Sequence, residues 1–184
     1  MQPTTLNARQ LACLAPPVRN ETFATIRALG EASVREVAEA VGRSPESVYY
    51  HVKALLGAVL IVEKYRRATA HKPEAVYETT AAAFRLPDLV AHPELAPLTH
   101  KSVAVGLRHA MRGYLAASKQ AESDPKIRES MSVVRDIARL SSEDAETFFN
   151  LIEEAVRFAR SHESPVGTRL YWSSIVFPDL KTIT

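Results

Sequence analysis

The sequence predicts a mainly α-helical protein with a small β-hairpin in its N-terminal half. Two observations favour this fold. Capping signals mark the starts and ends of successive helical segments, and two runs rich in β-forming residues follow the third of these segments. The chain has 184 residues, of which 46% are hydrophobic and 24% are charged. These values are typical of one or two small globular domains with a packed core.

The first two predicted helices are separated by a pair of prolines. Residues 1–15 form a tail or a short dimerisation helix, whose apolar side chains are Leu6, Leu11 and Leu14. A helix this short is unstable alone, so we expect it to pack on another element. Pro17 then begins a helix that runs through Leu29, and Gly30 ends it, because glycine readily takes the left-handed backbone found after helix ends.

A helix-turn-helix is predicted next. Ser33-Val34-Arg35-Glu36 is a capping box, in which Ser33 and Glu36 satisfy free backbone N–H groups at a helix start. The helix has only two turns and ends at Gly42. Ser44 and Pro45 then open a third helix, which runs to about Leu56. Two short helices joined across so tight a turn form a helix-turn-helix.

The third helix has one face for packing and one for contact. Val48, Val52 and Leu55 follow the i, i+4, i+7 spacing of a buried stripe. The opposite face is rich in hydrogen-bonding groups and planar rings, from Glu46, Ser47, Tyr49, Tyr50 and Lys53. Half-buried packing is the alternative interpretation of the two tyrosines. We expect His51 to be packed and hydrogen-bonded.

A hairpin is predicted after this helix. Val59–Val62 and Ala75–Thr79 are expected to be its strands. The segment from Lys64 to Pro73 is expected to form a basic tip. Its fixed positive charges are Lys64, Arg66, Arg67 and Lys72. Only Glu63 is adjacent to offset them.

The remaining chain is predicted to be a linker followed by helices and one strand. Residues 85–97 are rich in proline and are interpreted as a linker. Helices are predicted at about 98–118, 125–140 and 142–162, and a final strand at Thr168–Phe177. The wide apolar face of the last helix and the two-sided strand favour a dimerisation region over residues 98–184.

The stretch from Ser33 to Leu55 resembles the ArsR-type transcriptional regulators of bacteria. The resemblance covers about residues 16–80 and rests on the capped helix ending in glycine, the Ser-Pro helix start and the pattern Val-x-x-His-Val-Lys-x-Leu. It implies a winged helix-turn-helix domain, placed here at residues 16–84. One departure is Val59, which stands in Ala58-Val59-Leu60 where the family usually has Ala-Gly-Leu. A shifted turn is the expected consequence.

The resemblance implies a homodimeric regulator of transcription that binds double-stranded DNA. The third helix would enter the major groove, and the basic hairpin would contact the backbone or the minor groove. The residues expected to contact DNA are Arg43, Ser44, Glu46, Ser47, Tyr49, Tyr50, Lys53, Lys64, Arg66, Arg67 and Lys72. A protein-interaction adaptor that keeps the winged helix without binding DNA stays open as the alternative.

Other classes of function have little support in the sequence. The single cysteine, Cys13, excludes a disulfide framework and a four-cysteine zinc site, and it is expected to be a small buried residue. His100 and His109 are nine residues apart, so they point to opposite faces of a helix. No metal, cofactor or catalytic motif is predicted. Glu153 and Glu154 are interpreted as a solvated face.

The cell compartment and the ligands are predicted only in outline. No apolar run approaches the roughly 20 residues that a bilayer requires, so we expect a cytoplasmic protein without a membrane partner. A small-molecule effector stays open, because a ligand pocket and a plain core use the same kinds of residue.

Overall fold

The computed structural model describes residues 4–70, 72–134, 136–162, 164, 166 and 170–177. The chain is mainly helical and contains a small antiparallel sheet of three strands. It divides into two compact units, Met1–Arg112 and Gly113–Thr184. The expected combination of many helices and a hairpin is therefore confirmed.

The first unit contains four helices ahead of its hairpin, and its first and last strands form a short parallel pair. In chain order, its elements are β1 (Thr4–Thr5), α1 (Ala8–Leu14), α2 (Pro17–Leu29), β2 (Glu31–Ser33), α3 (Val34–Val41), α4 (Pro45–Gly57), β3 (Ile61–Arg67), β4 (Glu74–Thr79) and β5 (Phe84–Arg85). A 3-10 turn at Pro93–Leu95 leads into α5 (Ala96–Ala121), which crosses into the second unit.

The capping signals begin and end the helices as predicted. The Ser33 side chain and Glu36 form a complete capping box at the start of α3, and Gly42 ends that helix with φ 65°. Ser44 caps α4 by accepting from the Ser47 backbone N–H at 3.4 Å. Since these signals act over three or four residues, local chemistry sets the boundaries of α3 and α4.

The sheet differs from the prediction in its extent. β4 lies between β2 and β3, so a strand at Glu31–Ser33 extends the predicted hairpin. β3 begins at Ile61 rather than Val59 and continues to Arg67. A β-bulge between Glu63 and Tyr65 allows this extra length. The prediction of a basic tip over Lys64–Pro73 is therefore wrong for its first four residues, which belong to the strand.

In the turn after α4, Val59 takes a left-handed backbone at the position where the family that this stretch resembles usually has glycine. Val59 has φ 56° and is the non-glycine residue with a positive φ in the described chain. The Leu60 N–H donates to Leu55 O at 3.1 Å and the Val59 N–H donates to Leu56 O at 2.9 Å. This pair of bonds is the Schellman pattern that ends many helices. A β-branched residue in this conformation is strained.

The core of the first unit joins α1, α2, α3, α4 and the sheet. Leu11, Ile26, Val48, Leu55 and Leu60 are completely buried in it. The expected packing of the N-terminal helix is confirmed, since Leu11, Cys13 and Leu14 of α1 are buried in the same cluster.

In the second unit, two predictions are corrected. The helix predicted at 125–140 is only α6 (Pro125–Glu129), and Ser130–Val134 and residues 136–140 have no regular structure. Serines and β-branched valines there favour the helix weakly. Residues 170–177 of the predicted final strand pair with no neighbour among the described residues, and residues 168 and 169 lie outside them. The last helix, α7 (Ser142–Ser161), is confirmed.

Candidate nucleic-acid interface

The orientation of α4 is set by its buried stripe. The side chains of Val48, Val52 and Leu55 are at most 1% exposed. On the far side of the helix, Tyr49 is 51% exposed and Tyr50 is 65% exposed. The alternative that the tyrosines are half-buried packing residues does not hold for Tyr50, which lies at the middle of the outward face.

The first turn of α4 is also accessible. Arg43, Ser44, Glu46 and Ser47 are all exposed. The cap uses the Ser44 oxygen as an acceptor, so its hydroxyl hydrogen is still available to an outside acceptor. The start of a helix carries free N–H groups and the positive end of the macrodipole. This turn can therefore donate to an anion, although the Glu46 carboxylate opposes one.

Tyr49 and Lys53 form a pair along the helix. The Lys53 ammonium lies 5.7 Å from the centre of the Tyr49 ring, a cation–π distance. Residues four apart lie on the same side of a helix, so the contact keeps the charge beside the ring. Together with Tyr50, the pair gives α4 one cation and two planar rings on its exposed side.

His51 departs from its prediction. Its ring packs edge-to-face against Tyr50, with the ring centres 5.5 Å apart. Its Nδ1 atom is buried without a hydrogen-bond partner among the described residues, so the expected hydrogen bond is wrong for that nitrogen. Burial lowers the pKa of His51, and the positive charges of Arg19 and Arg43 lower it further. The imidazole is therefore mainly neutral at pH 7.

The cations of β3 are held by carboxylates. Lys64 Nζ lies 3.0 Å from Glu31 Oε2 and 2.9 Å from Glu78 Oε2. The Tyr65 hydroxyl donates to the same Glu31 carboxylate at 3.0 Å. These hydrogen bonds raise the pKa of Lys64 and lower that of Glu31. Lys64 thus bridges the two outer strands of the sheet across β4.

Arg67 is paired still more closely. Its Nη2 atom lies 2.9 Å from Glu36 Oε1 and 2.6 Å from Glu74 Oε1. The hydrogen bonds to Arg67 lower the pKa of Glu74, whereas the backbone N–H of Ser33 is the main cause for Glu36. Glu36 therefore caps α3 and also anchors the hairpin.

The predicted excess of positive charge on the hairpin is consequently wrong. Arg66 pairs with Glu63 at 2.8 Å, so three of the four basic residues have carboxylate partners. Lys72 is exposed and forms no ion pair with any described residue. The prediction missed Glu31 and Glu36, which come from β2 and α3, and Glu74 and Glu78, which lie on β4 of the hairpin itself. Glu74 is opposite Arg67 in the strand register, so a correct hairpin alignment could have found it.

Outside this interface, few features have the form of a site. No described group of three or more His, Cys, Asp or Glu residues could hold a metal ion. None of the described helices has the length and apolar character needed to cross a membrane. The second unit has an open cavity of about 450 Å³, lined in part by Tyr114, Arg128 and Met131. Arg128 there donates to Ala121 O.

Comparison with protein-family models and with curated protein sequences finds no match for the chain.

Proposed function

We propose that the protein is a sequence-specific, DNA-binding transcriptional regulator that acts as a homodimer through a winged helix-turn-helix. The observation that carries the proposal is the exposed face of α4. A helix fits the major groove, where each base pair presents a distinct pattern of donors and acceptors. Tyr50 is directed away from a fully buried stripe, as such a helix requires.

The roles proposed for the α4 residues follow from their positions. Ser44 and Ser47 in the first turn donate to phosphates, as do the free N–H groups of that turn. Glu46 accepts from a cytosine amino group. Tyr50 contacts base edges, and Lys53 is held beside Tyr49 to meet a phosphate.

The proposed contribution of the hairpin is smaller than its sequence suggests. Phosphate contacts gain free energy by releasing counterions from DNA, and a cation already paired with a carboxylate offers little further charge. Lys64, Arg66 and Arg67 are paired in this way. Lys72, next to the tip, is then the main hairpin residue for contact with the DNA backbone.

The homodimer is supported by α7. No residue of this helix with a described side chain is buried, although it carries a broad apolar face. Its exposed large side chains are Phe148, Phe149, Leu151 and Phe158. We propose that a second copy of the chain covers this apolar face. One winged helix reads only a short site, whereas a dimer reads two half-sites that lie about 10 bp, or a multiple of 10 bp, apart. Light scattering at micromolar concentration should give twice the chain mass, and a monomer would contradict this part of the proposal.

The test of DNA binding begins with a random pool of duplexes, from which bound fragments are selected and sequenced. Tyr50→Ala should weaken binding to the selected sequence by about 1–3 kcal/mol, or roughly 5- to 100-fold. Tyr114→Ala is the matched control, because it removes an exposed tyrosine of the second unit. Equal affinity of the Tyr50→Ala variant and the unaltered protein would contradict the placement of α4.

A protein-interaction adaptor is the second candidate, and the paired charges of the hairpin favour it. The two candidates differ in their response to salt. A DNA binder loses affinity for duplex steeply as salt rises. A protein that selects no sequence from the pool and shows no salt-dependent binding to duplex would support the adaptor instead.

A further inference from the structure

Two groups of cations in the first unit differ in whether they are paired with carboxylates. Those of β3 are paired with carboxylates, as described above. Arg9, Arg19 and Arg43, by contrast, form no ion pair with any residue that the structure describes. Positive charge that is available to a polyanion is thus present on the side of α1 and α2, in addition to Lys53 and Lys72.

Two flanks of α4 can be distinguished. Tyr49 is five residues before Ala54, or about 140° around the helix from it, so the two residues lie on different flanks. His51 and Ala54 are on the other side, where the Cys13 thiol of α1 donates to Ala54 O at 3.5 Å. Tyr50 lies between these two sides on the exposed face.

Two side chains of α1 reach α4 on this second flank. Cys13 is opposite Ala54, and Arg9, one turn earlier in α1, is opposite Gly57, one turn later in α4. The Arg9 Nη2 atom lies 4.0 Å from the position that a Cβ of Gly57 would occupy. Because Gly57 has no side chain, the Arg9 guanidinium lies beside the outward face of α4.

Arg19 also lies near the contact between α1 and α4. Its Nη1 atom donates to Cys13 O at 3.3 Å, so its guanidinium is held near the α1–α4 contact. Its Nε atom is buried and has no hydrogen-bond partner among the described residues. Arg19 also lowers the pKa of His51, as its positive charge acts on that ring. Arg9, by contrast, is exposed.

We propose that Arg9 of α1, with Arg19 behind it, forms a phosphate-binding site for the DNA backbone on the flank of α4 that carries Ala54. This inference rests on the proposed function and deepens it. Gly57 is seven residues beyond Tyr50, or about 10 Å along the helix. That separation suits a base contact at one residue and a backbone contact at the other, since the major groove is about 12 Å wide.

A purely structural role for Arg9 is the competing explanation. A cation near the last turn of α4 stabilises the negative end of the helix macrodipole. Such a role changes the stability of the fold, whereas a phosphate contact changes the salt dependence of binding. The two roles are therefore separated by measuring both quantities on the same variant.

The experiment measures binding of the full chain to a labelled 30-bp duplex of random sequence by fluorescence anisotropy at several NaCl concentrations. Arg9→Gln should weaken binding by about threefold to tenfold near 0.1 M salt. The slope of log K against log salt should fall by about 0.9, the value for one lost phosphate contact. Arg66→Gln is the matched control, since it removes an exposed arginine that is already paired with Glu63. It should leave the slope unchanged.

Thermal unfolding of each variant and an Arg9→Lys variant complete the test. Arg9→Lys keeps the charge, so it should restore the slope of the unaltered protein. If Arg9→Gln lowers the unfolding temperature but leaves the slope unchanged, Arg9 is structural and the inference is overturned. If Arg66→Gln lowers the slope and Arg9→Gln does not, the hairpin is the backbone contact and the inference is again overturned. If the unaltered protein binds no duplex at any salt concentration, the proposed function itself fails.

Discussion

Helix α4 and the β3–β4 hairpin both carry residues predicted to contact DNA, but the structure leaves them in different electrostatic states. The outward face of α4 has an exposed Tyr50 and a Lys53 whose nearest described partner is a ring. The hairpin has Lys64 and Arg67, each between two carboxylates. A count of basic residues along the chain therefore overstates what the hairpin offers to a phosphate.

The difference has a structural cause. α4 is capped by residues next to it in sequence and packs against α2 and α3, and its outward side chains Tyr49, Tyr50 and Lys53 are exposed. The hairpin lies beside β2 and the start of α3, which bring Glu31 and Glu36 to its cations. Lys64 thus joins strands of the sheet to each other, and Arg67 joins the sheet to α3. Each of these contacts can be tested by substituting one residue.

The largest effect is expected from loosening the buried side of α4. Leu55→Ala should lower the free energy of unfolding by about 2–5 kcal/mol, because it leaves a cavity where a side chain is completely buried. Chemical denaturation measures this change. Leu115→Ala, which truncates a leucine that is 59% exposed, should change stability by less than about 0.5 kcal/mol. Equal effects of the two variants would mean that α4 is not held as described.

The junction between α4 and the hairpin is expected to respond in the opposite direction. Val59→Gly should raise the free energy of unfolding by about 1 kcal/mol, because valine is strained at φ 56° and glycine is not. Little burial is lost, since Val59 is 62% exposed. Val62→Gly, at an exposed strand position, is the control and should destabilise the protein. A loss of stability in Val59→Gly would show that the turn is not left-handed.

The smallest effect is expected from the hairpin ion pairs and appears as a pH dependence. The pKa values of Glu36 and Glu74 are lowered from 4.5 in the folded protein. Their contribution to stability is therefore complete above pH 4.5 and is lost as pH falls through the folded values. Arg67→Gln should reduce stability at pH 7 only slightly, and by less than Leu55→Ala does, as is usual for partly exposed pairs.

Urea unfolding at pH 7 and at pH 3 checks this expectation. The difference in stability between Arg67→Gln and the unaltered protein should shrink at the lower pH, where the carboxylates are protonated. The same variant should leave the salt dependence of duplex binding unchanged. A fall of about one in the slope of log K against log salt would mean that Arg67 leaves its carboxylate partners and contacts a phosphate.

The parts of the fold set by local chemistry could be predicted from the sequence. Ser33, Gly42 and Ser44 mark helix boundaries over a few residues, and the spacing of Val48, Val52 and Leu55 orients α4. The exposed residues of that helix follow directly from this orientation. The residues of α4 that the sequence predicts to contact DNA therefore lie on its exposed face in the structure.

The parts that depend on residues distant in sequence could not be predicted. The β2 strand needed β4 as a partner, and the carboxylates around Lys64 and Arg67 come from three separate elements. The conformation of Val59 could not be predicted for a different reason. A left-handed backbone is unfavourable for valine, whereas the hydrogen bonds at the end of α4 require it. Residues 170–177 of the predicted final strand pair with no described neighbour, and apolar residues on both faces do not supply one.

The most direct test of the central claim places a photoreactive benzophenone side chain at position 50 and irradiates the complex with a selected DNA duplex. The account predicts crosslinks from position 50 to bases within the selected sequence, and none from the same group at position 114. An absence of crosslinks from position 50, with duplex still bound, would contradict the placement of α4 in the groove.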